Sequence, residues 1–154
     1  NVFTGFLMIS AVVFGVFISF SGIYADKVGR RRFLIWVTAA MLVFGLSLPM
    51  FLSNGSPASM LLFLLTGMAL MGMTFGPMAA LLPELFPTEV RYSGASLAYN
   101  FAAIVGASVA TLVAMKLNEH YGIIGVGIYL AVNCALTMLA LLFTHETKDV
   151  DLSD

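Results

Sequence analysis

An all-α membrane fold with five transmembrane helices is what this sequence predicts, and three observations carry the prediction. Of the 154 residues, 60% are hydrophobic and 10% charged, far from the roughly 25% charged residues of a soluble domain. Charge-free runs recur at bilayer length, each clearing the roughly 20 residues that a helix needs to cross about 30 Å of hydrocarbon. The runs are apolar nearly all round, where a soluble helix would keep a polar face and a membrane β-barrel would alternate in short segments.

The first helix is expected over residues 2–24 and leads into Gly22-Ile-Tyr-Ala-Asp26-Lys27-Val-Gly29-Arg30-Arg31-Arg32, which reads as a short charged loop. Gly22 and Gly29 suit a tight turn between antiparallel helices, and Asp26 can cap a helix start or pair with a basic group. A second helix follows over 33–52 and ends at the uncharged turn Ser53-Asn-Gly-Ser-Pro57. The third, over 59–82, contains Gly67, Gly72, Gly76 and Pro77. Pro77 has no N–H and frees the carbonyl of Met73, so the Gly76–Pro77 step is either a hinge or a static packing kink. The fourth and fifth helices are expected over 93–116 and 121–144, with a tail over 145–154. Gly15 with Ser19, Gly106 with Ala110, and Gly122 with Gly125 and Gly127 have the small-residue spacing of helix-to-helix contacts.

Charge distribution orients these segments. Lys27, Arg30, Arg31, Arg32, Arg91 and Lys148 fall on one side of the expected membrane and only Lys116 on the other, which places the basic segments in the cytoplasm. Asn1 is then outside and the tail inside. An odd number of spans and a start other than Met suggest a piece of a longer protein.

No charged residue or histidine falls in the middle of an expected span, so no intramembrane proton relay is built here. A titrating carboxylate, if the whole protein has one, belongs at a helix end or elsewhere in the chain. Asn100 stands out among the polar residues at depth, because an unpaired amide costs roughly 4–8 kcal/mol in hydrocarbon. Together with Tyr99 it either bonds a neighbouring helix or lines a solute path. His120 and His145 have no partners at metal-ligand spacing, and Cys134 has no nearby base. No metal, cofactor, catalytic group or nucleic-acid partner is expected.

Carboxylates on the same side as the arginines, namely Glu84, Glu89 and Glu146, offer bidentate partners to the guanidinium forks, with Arg91 close by. Such a network can latch two helix bundles together. Alternatively, the basic residues only set topology and the acids are solvated.

The loop Gly22-x3-Asp26-Lys27-x-Gly29-Arg30-Arg31 resembles the signature loop of the major facilitator superfamily. Pro83-Glu84-Leu-Phe-Pro87-Thr88-Glu-Val-Arg91-Tyr92-Ser-Gly94 and onward to Tyr99-Asn100 is similar to the segment between helices ten and eleven of its metabolite:proton symporters, which include shikimate, 2-oxoglutarate, citrate and proline/betaine carriers. His145-Glu146-Thr147-Lys148-Asp149 resembles the Pro-Glu-Thr-Lys-Gly ending of sugar porters, with His for Pro and Asp for Gly. The resemblance implies helices eight to twelve of a twelve-helix carrier in a bacterial inner membrane, the rest of that carrier as partner, and a small organic acid or zwitterion moved with protons by alternating access. It also implies that Gly22, Asp26, Gly29, Arg30 and Arg31 form a gate with Glu84, Arg91 and Glu146 as salt-bridge partners. Thr66, Thr74, Tyr99 and Asn100 become the solute-path candidates, and Gly76 and Pro77 the hinge. A sugar-porter-like carrier or uniporter is the alternative within this class, and a membrane scaffold with a lipid-anchoring basic loop is the alternative outside it.

Overall fold

A computed structural model describes residues 2–53 and 55–144, which form the helices α1 (Val2–Val28), α2 (Arg30–Leu52), α3 (Pro57–Glu84) and α4 (Arg91–Phe143). Among the described residues there is no strand. All four helices are long and apolar enough to cross a membrane.

The expected charged loop is reduced to one residue. Gly29 alone leaves the helical conformation (φ 111°, ψ 126°), a region that side chains avoid and glycine enters freely. Its N–H donates to the Ala25 carbonyl at 2.9 Å and its own carbonyl accepts from the Phe33 N–H at 3.0 Å, so the ladder is barely interrupted. Asp26 and Lys27 therefore close α1, and Arg30, Arg31 and Arg32 open α2. Asp26 caps no helix start, because no side chain bonds the N-terminus of α2. Gly22 lies inside α1 rather than in a turn. The next connection is built as the sequence suggests: Pro57 occupies the first turn of α3, and the Ser56 hydroxyl accepts from the Ser59 N–H at 3.1 Å, the usual pairing of an N-cap serine with a leading proline.

The expected break between a fourth and a fifth helix is absent as a loop, so the described chain has four helices rather than five. Lys116, Glu119 and His120 are helical, because residues of these types tolerate a helix interior, and α4 runs for 53 residues. Only Gly122 departs (φ 65°, ψ −159°), in a region that belongs almost entirely to glycine. A straight helix would hold Ala110 and Leu130 about 30 Å apart. Both instead line one cavity of about 370 Å³ with Phe44 and Leu48. The axis is sharply bent at Gly122, and α4 has two limbs.

Packing follows the small residues. Gly72 and Gly76 of α3 lie against Phe14–Gly22 of α1, and the contact advances along both helices in the same direction, so α1 and α3 are parallel. The second limb of α4 runs antiparallel to α2: Arg31 meets Leu141 at one end and Gly45 meets Gly127 at the other. The two points are 14 residues apart on each helix, about 21 Å of rise. Leu34, Leu81 and Leu141 then form a small core where α2, α3 and α4 end together. Ala25, Phe33 and Val37 form another between α1 and α2. Of the other expected contacts, Gly125 lies against Leu117 and Tyr121 across the bend, whereas a methyl group at Gly15 or Gly106 would meet nothing within 4 Å. Those two glycines face outward on exposed helix surfaces.

Candidate functional site

Two features of this frame can carry function: the charged end, where three helices terminate, and a cavity between α3 and the first limb of α4.

At the charged end the arginines are sorted by the one-residue break. Arg30, first in α2, donates from Nε and Nη2 to Asp26 Oδ1 of α1 at 3.0 Å each. Its Nη1 donates to Glu84 Oε1 at the end of α3. One guanidinium thus clips three helices together. The two halves of the clip differ in burial: Asp26 is 58% exposed and Glu84 only 10%. Exposed pairs are worth about 0–1 kcal/mol, so the Glu84 half dominates. Glu84 Oε2 is buried and has no hydrogen-bond partner among the described residues.

Arg31 does something else. Its Nε donates to the Leu141 carbonyl at 2.8 Å and its Nη2 to the Leu142 carbonyl at 2.9 Å. These belong to the last turn of α4, at the negative end of the helix dipole, where the Leu141 carbonyl also accepts from the Thr144 N–H at 3.3 Å. Arg31, expected to take part in the gate, thus reaches the end of α4 through its backbone carbonyls. Arg91, expected as an ion-pair partner, forms no ion pair among them. It folds back onto its own turn, reaching the Phe86 carbonyl at 3.4 Å and the Thr88 hydroxyl at 3.3 Å. Glu146 and the tail 145–154 lie outside the described residues.

The cavity, about 590 Å³, is lined by Thr74, Phe75, Met78, Ala79, Leu82 and Pro83 of α3 and by Ala95, Ser96, Tyr99, Asn100, Ala102 and Ala103 of α4. Three of the four solute-path candidates meet here. Thr66 does not line it and sits half-buried two turns away on α3. The Asn100 amide donates to the Ser96 carbonyl at 2.8 Å and lies 3.4 Å from the Ser96 hydroxyl. Its partner is therefore on its own helix, one turn back, and not on a neighbour. Its carbonyl oxygen still offers an acceptor at the cavity. Thr74 donates to the Leu70 carbonyl at 3.0 Å and touches Met41 Sδ at 3.4 Å. No charged side chain lines the cavity. Ser96, Phe75 and Met78 were not expected here. The Ser96–Asn100 spacing of four was the signal for the first, since such residues meet on one helix face.

Of the hinge candidates, Gly76 lies against α1. Pro77 is fully buried. A methyl group on Gly76 would come within 2.3 Å of Ser21 Oγ and 2.6 Å of the Ile18 carbonyl. Ser21, which the sequence reading passed over, is fully buried there and donates to the Ile18 carbonyl at 3.0 Å and the Gly72 carbonyl at 3.3 Å.

The family model described as sugar (and other) transporter matches residues 2–154. A Haemophilus influenzae protein whose name assigns it provisionally to metabolite transport is 66% identical over 154 residues, covering 100% of this chain and 35% of the relative. The inner membrane metabolite transport protein YhjE of Escherichia coli is 50% identical over 95% of this chain and 33% of its own length. The glycine betaine/proline/ectoine/pipecolic acid transporter OusA of Dickeya dadantii is 32% identical over 96% of this chain and 30% of its own. The chain therefore spans about a third of the length of the curated relatives it matches. No solved structure matches.

Proposed function

The chain belongs to the sugar (and other) transporter family of the major facilitator superfamily, a family of transporters and not of enzymes, and from that premise we propose that it is part of a carrier moving a small polar metabolite across a bacterial inner membrane. In this reading the carrier alternates between two bundle arrangements around a site at mid-membrane. The chain supplies the latch that holds one arrangement and one wall of the solute path.

The observation that carries the reading is the Arg30 clip, which ties α1, α2 and α3 through Asp26 and Glu84. An ion pair across helix ends is made in one arrangement and broken in the other, so it biases the equilibrium between them. Arg31 holds the end of α4 to α2 in the same way, through backbone carbonyls. The uncharged cavity with Thr74, Tyr99 and Asn100 is the proposed solute wall, with Gly76–Pro77 as the flexing step of α3. Because the backbones of α1 and α3 touch at Gly72 and Gly76, the two helices move together up to that step, and the end of α3 beyond it is the part that flexes.

We further infer that α4 crosses the membrane twice, giving five spans. The limbs of α4 on either side of Gly122 are about 46 Å and about 31 Å long, each enough to cross the hydrocarbon, and the bend at Gly122 supports a reversal. Basic residues at the charged end favour placing that end in the cytoplasm. The relatives' names for metabolite and betaine transport support an organic acid or zwitterion as solute, and protons are the proposed coupling ion.

Uptake by the full-length carrier in proteoliposomes, using labelled organic acids, glycine betaine, proline and a sugar, tests this. Accumulation of an acid or zwitterion driven by an inward proton gradient is expected. Sugar counterflow that an uncoupler leaves unchanged would instead assign a uniporter. No flux of any solute would remove transport altogether.

A further inference from the structure

Among the described residues, Glu84 is the one carboxylate at the charged end that is both buried and half-satisfied. Its side chain is 10% exposed, Oε1 takes Arg30, and Oε2 has no partner among the described residues. An ionised carboxylate left in that state keeps the desolvation cost of its second oxygen. It also ends α3, where the helix dipole already presents negative charge. Asp26 also lies in the last turn of its helix but is 58% exposed, and it shares Arg30 from the neighbouring helix end.

We propose that Glu84 is the proton-binding group of the carrier's charged-end gate: a proton from solvent at that face adds to Oε2, leaves Arg30 with Asp26 alone, and unfastens α3 from α2. The proposal rests on the clip acting as the latch described above. Arg30 loses only one of its two anionic partners, so no cation is stranded. Among the described residues, the other charged groups at this end are Asp26 and Lys27 from α1, Arg30, Arg31 and Arg32 from α2, Glu89 from the turn beyond α3 and Arg91 at the start of α4. The second limb of α4 brings none in its described part. Arg30 bonds Glu84, so protonation acts on that tie. Loss of that tie, with the Leu34, Leu81 and Leu141 contact beneath it, frees the end of α3 to swing. Deprotonation reverses the step and returns the proton to the same side.

The test uses the full-length carrier in oriented vesicles, with Ala79→Cys in the cavity, no other cysteine, and a membrane-impermeant thiol reagent applied at the charged-end face. Labelling is expected to rise several-fold as that face is acidified. Glu84→Gln should give high labelling at every pH, because the neutral amide mimics the protonated acid. A Gln variant that keeps the original pH response, or a parent carrier with no response, overturns the assignment. If the Gln variant does not insert, Glu84→Asp decides: a pH response displaced from the parent supports Glu84, and an unchanged one overturns it. Arg30→Ala separates the two readings. Unchanged labelling at neutral pH removes the latch, whereas raised labelling together with a pH-responsive Glu84→Gln removes only the proton site.

Discussion

Along α3, the face turned to α1 and the face turned to the first limb of α4 are built in opposite ways. Toward α1, Gly72 and Gly76 bring backbone onto backbone, and the buried Ser21 bonds across the crossing. Toward α4, Thr74, Phe75, Met78, Ala79, Leu82 and Pro83 line a cavity of about 590 Å³ instead of an interlocked seam. One helix is therefore clamped on one side and open on the other. A carrier that must move a helix without unfolding it needs this division, since close-packed seams resist sliding while cavity walls do not.

The largest effect that would break the comparison is expected at the clamp. Gly76→Leu forces its side chain into Ser21 and the α1 backbone, and should cost about 3 kcal/mol, the upper end for overpacking. Thermal unfolding in detergent checks this, and an unchanged midpoint would mean that α1 and α3 are not locked. Next comes the bend: Gly122→Ala places a side chain at φ 65°, ψ −159° and should cost about 1–3 kcal/mol of strain, read in the same assay. On the open face the effect should move from stability to transport. Asn100→Ala is expected to leave unfolding unchanged while raising the uptake KM roughly 2- to 10-fold, the worth of about one hydrogen bond. The smallest effects belong to Gly15→Ala and Gly106→Ala, whose added methyl groups meet nothing in the described chain. Stability should stay within about 0.5 kcal/mol. A larger loss there would place another part of the carrier on that surface.

How much of this was legible in the sequence differs between the same two regions. The apolar runs gave the helices, and opposite charge at neighbouring helix ends offered Glu84 as one of several partners for the arginines without choosing Arg30. The length of the charged loop did not follow. Charged residues suggested solvated coil, yet the Asp26–Arg30 spacing lets a salt bridge span the single residue Gly29. The role of Arg31 was hidden because its partners are backbone carbonyls 110 residues away or more, which carry no side-chain signature. Polar residues at Lys116–His120 suggested a loop, but each tolerates a helix, and only Gly122 leaves it. The cavity was partly readable, through Thr74, Tyr99 and Asn100. Thr66 was misplaced because helical facing cannot be fixed when every face of the helix is apolar.

Exchanging the two charges of the clip tests the central claim most directly. The background is Asp26→Asn, which removes the carboxylate that would repel a new acid at position 30. In it, Arg30→Glu and Glu84→Arg should each raise labelling of the cavity cysteine from the charged-end face of the full-length carrier, while the double exchange should bring it back toward the level of that background. A double exchange as open as either single variant would contradict the account, because the two side chains would then not be holding each other.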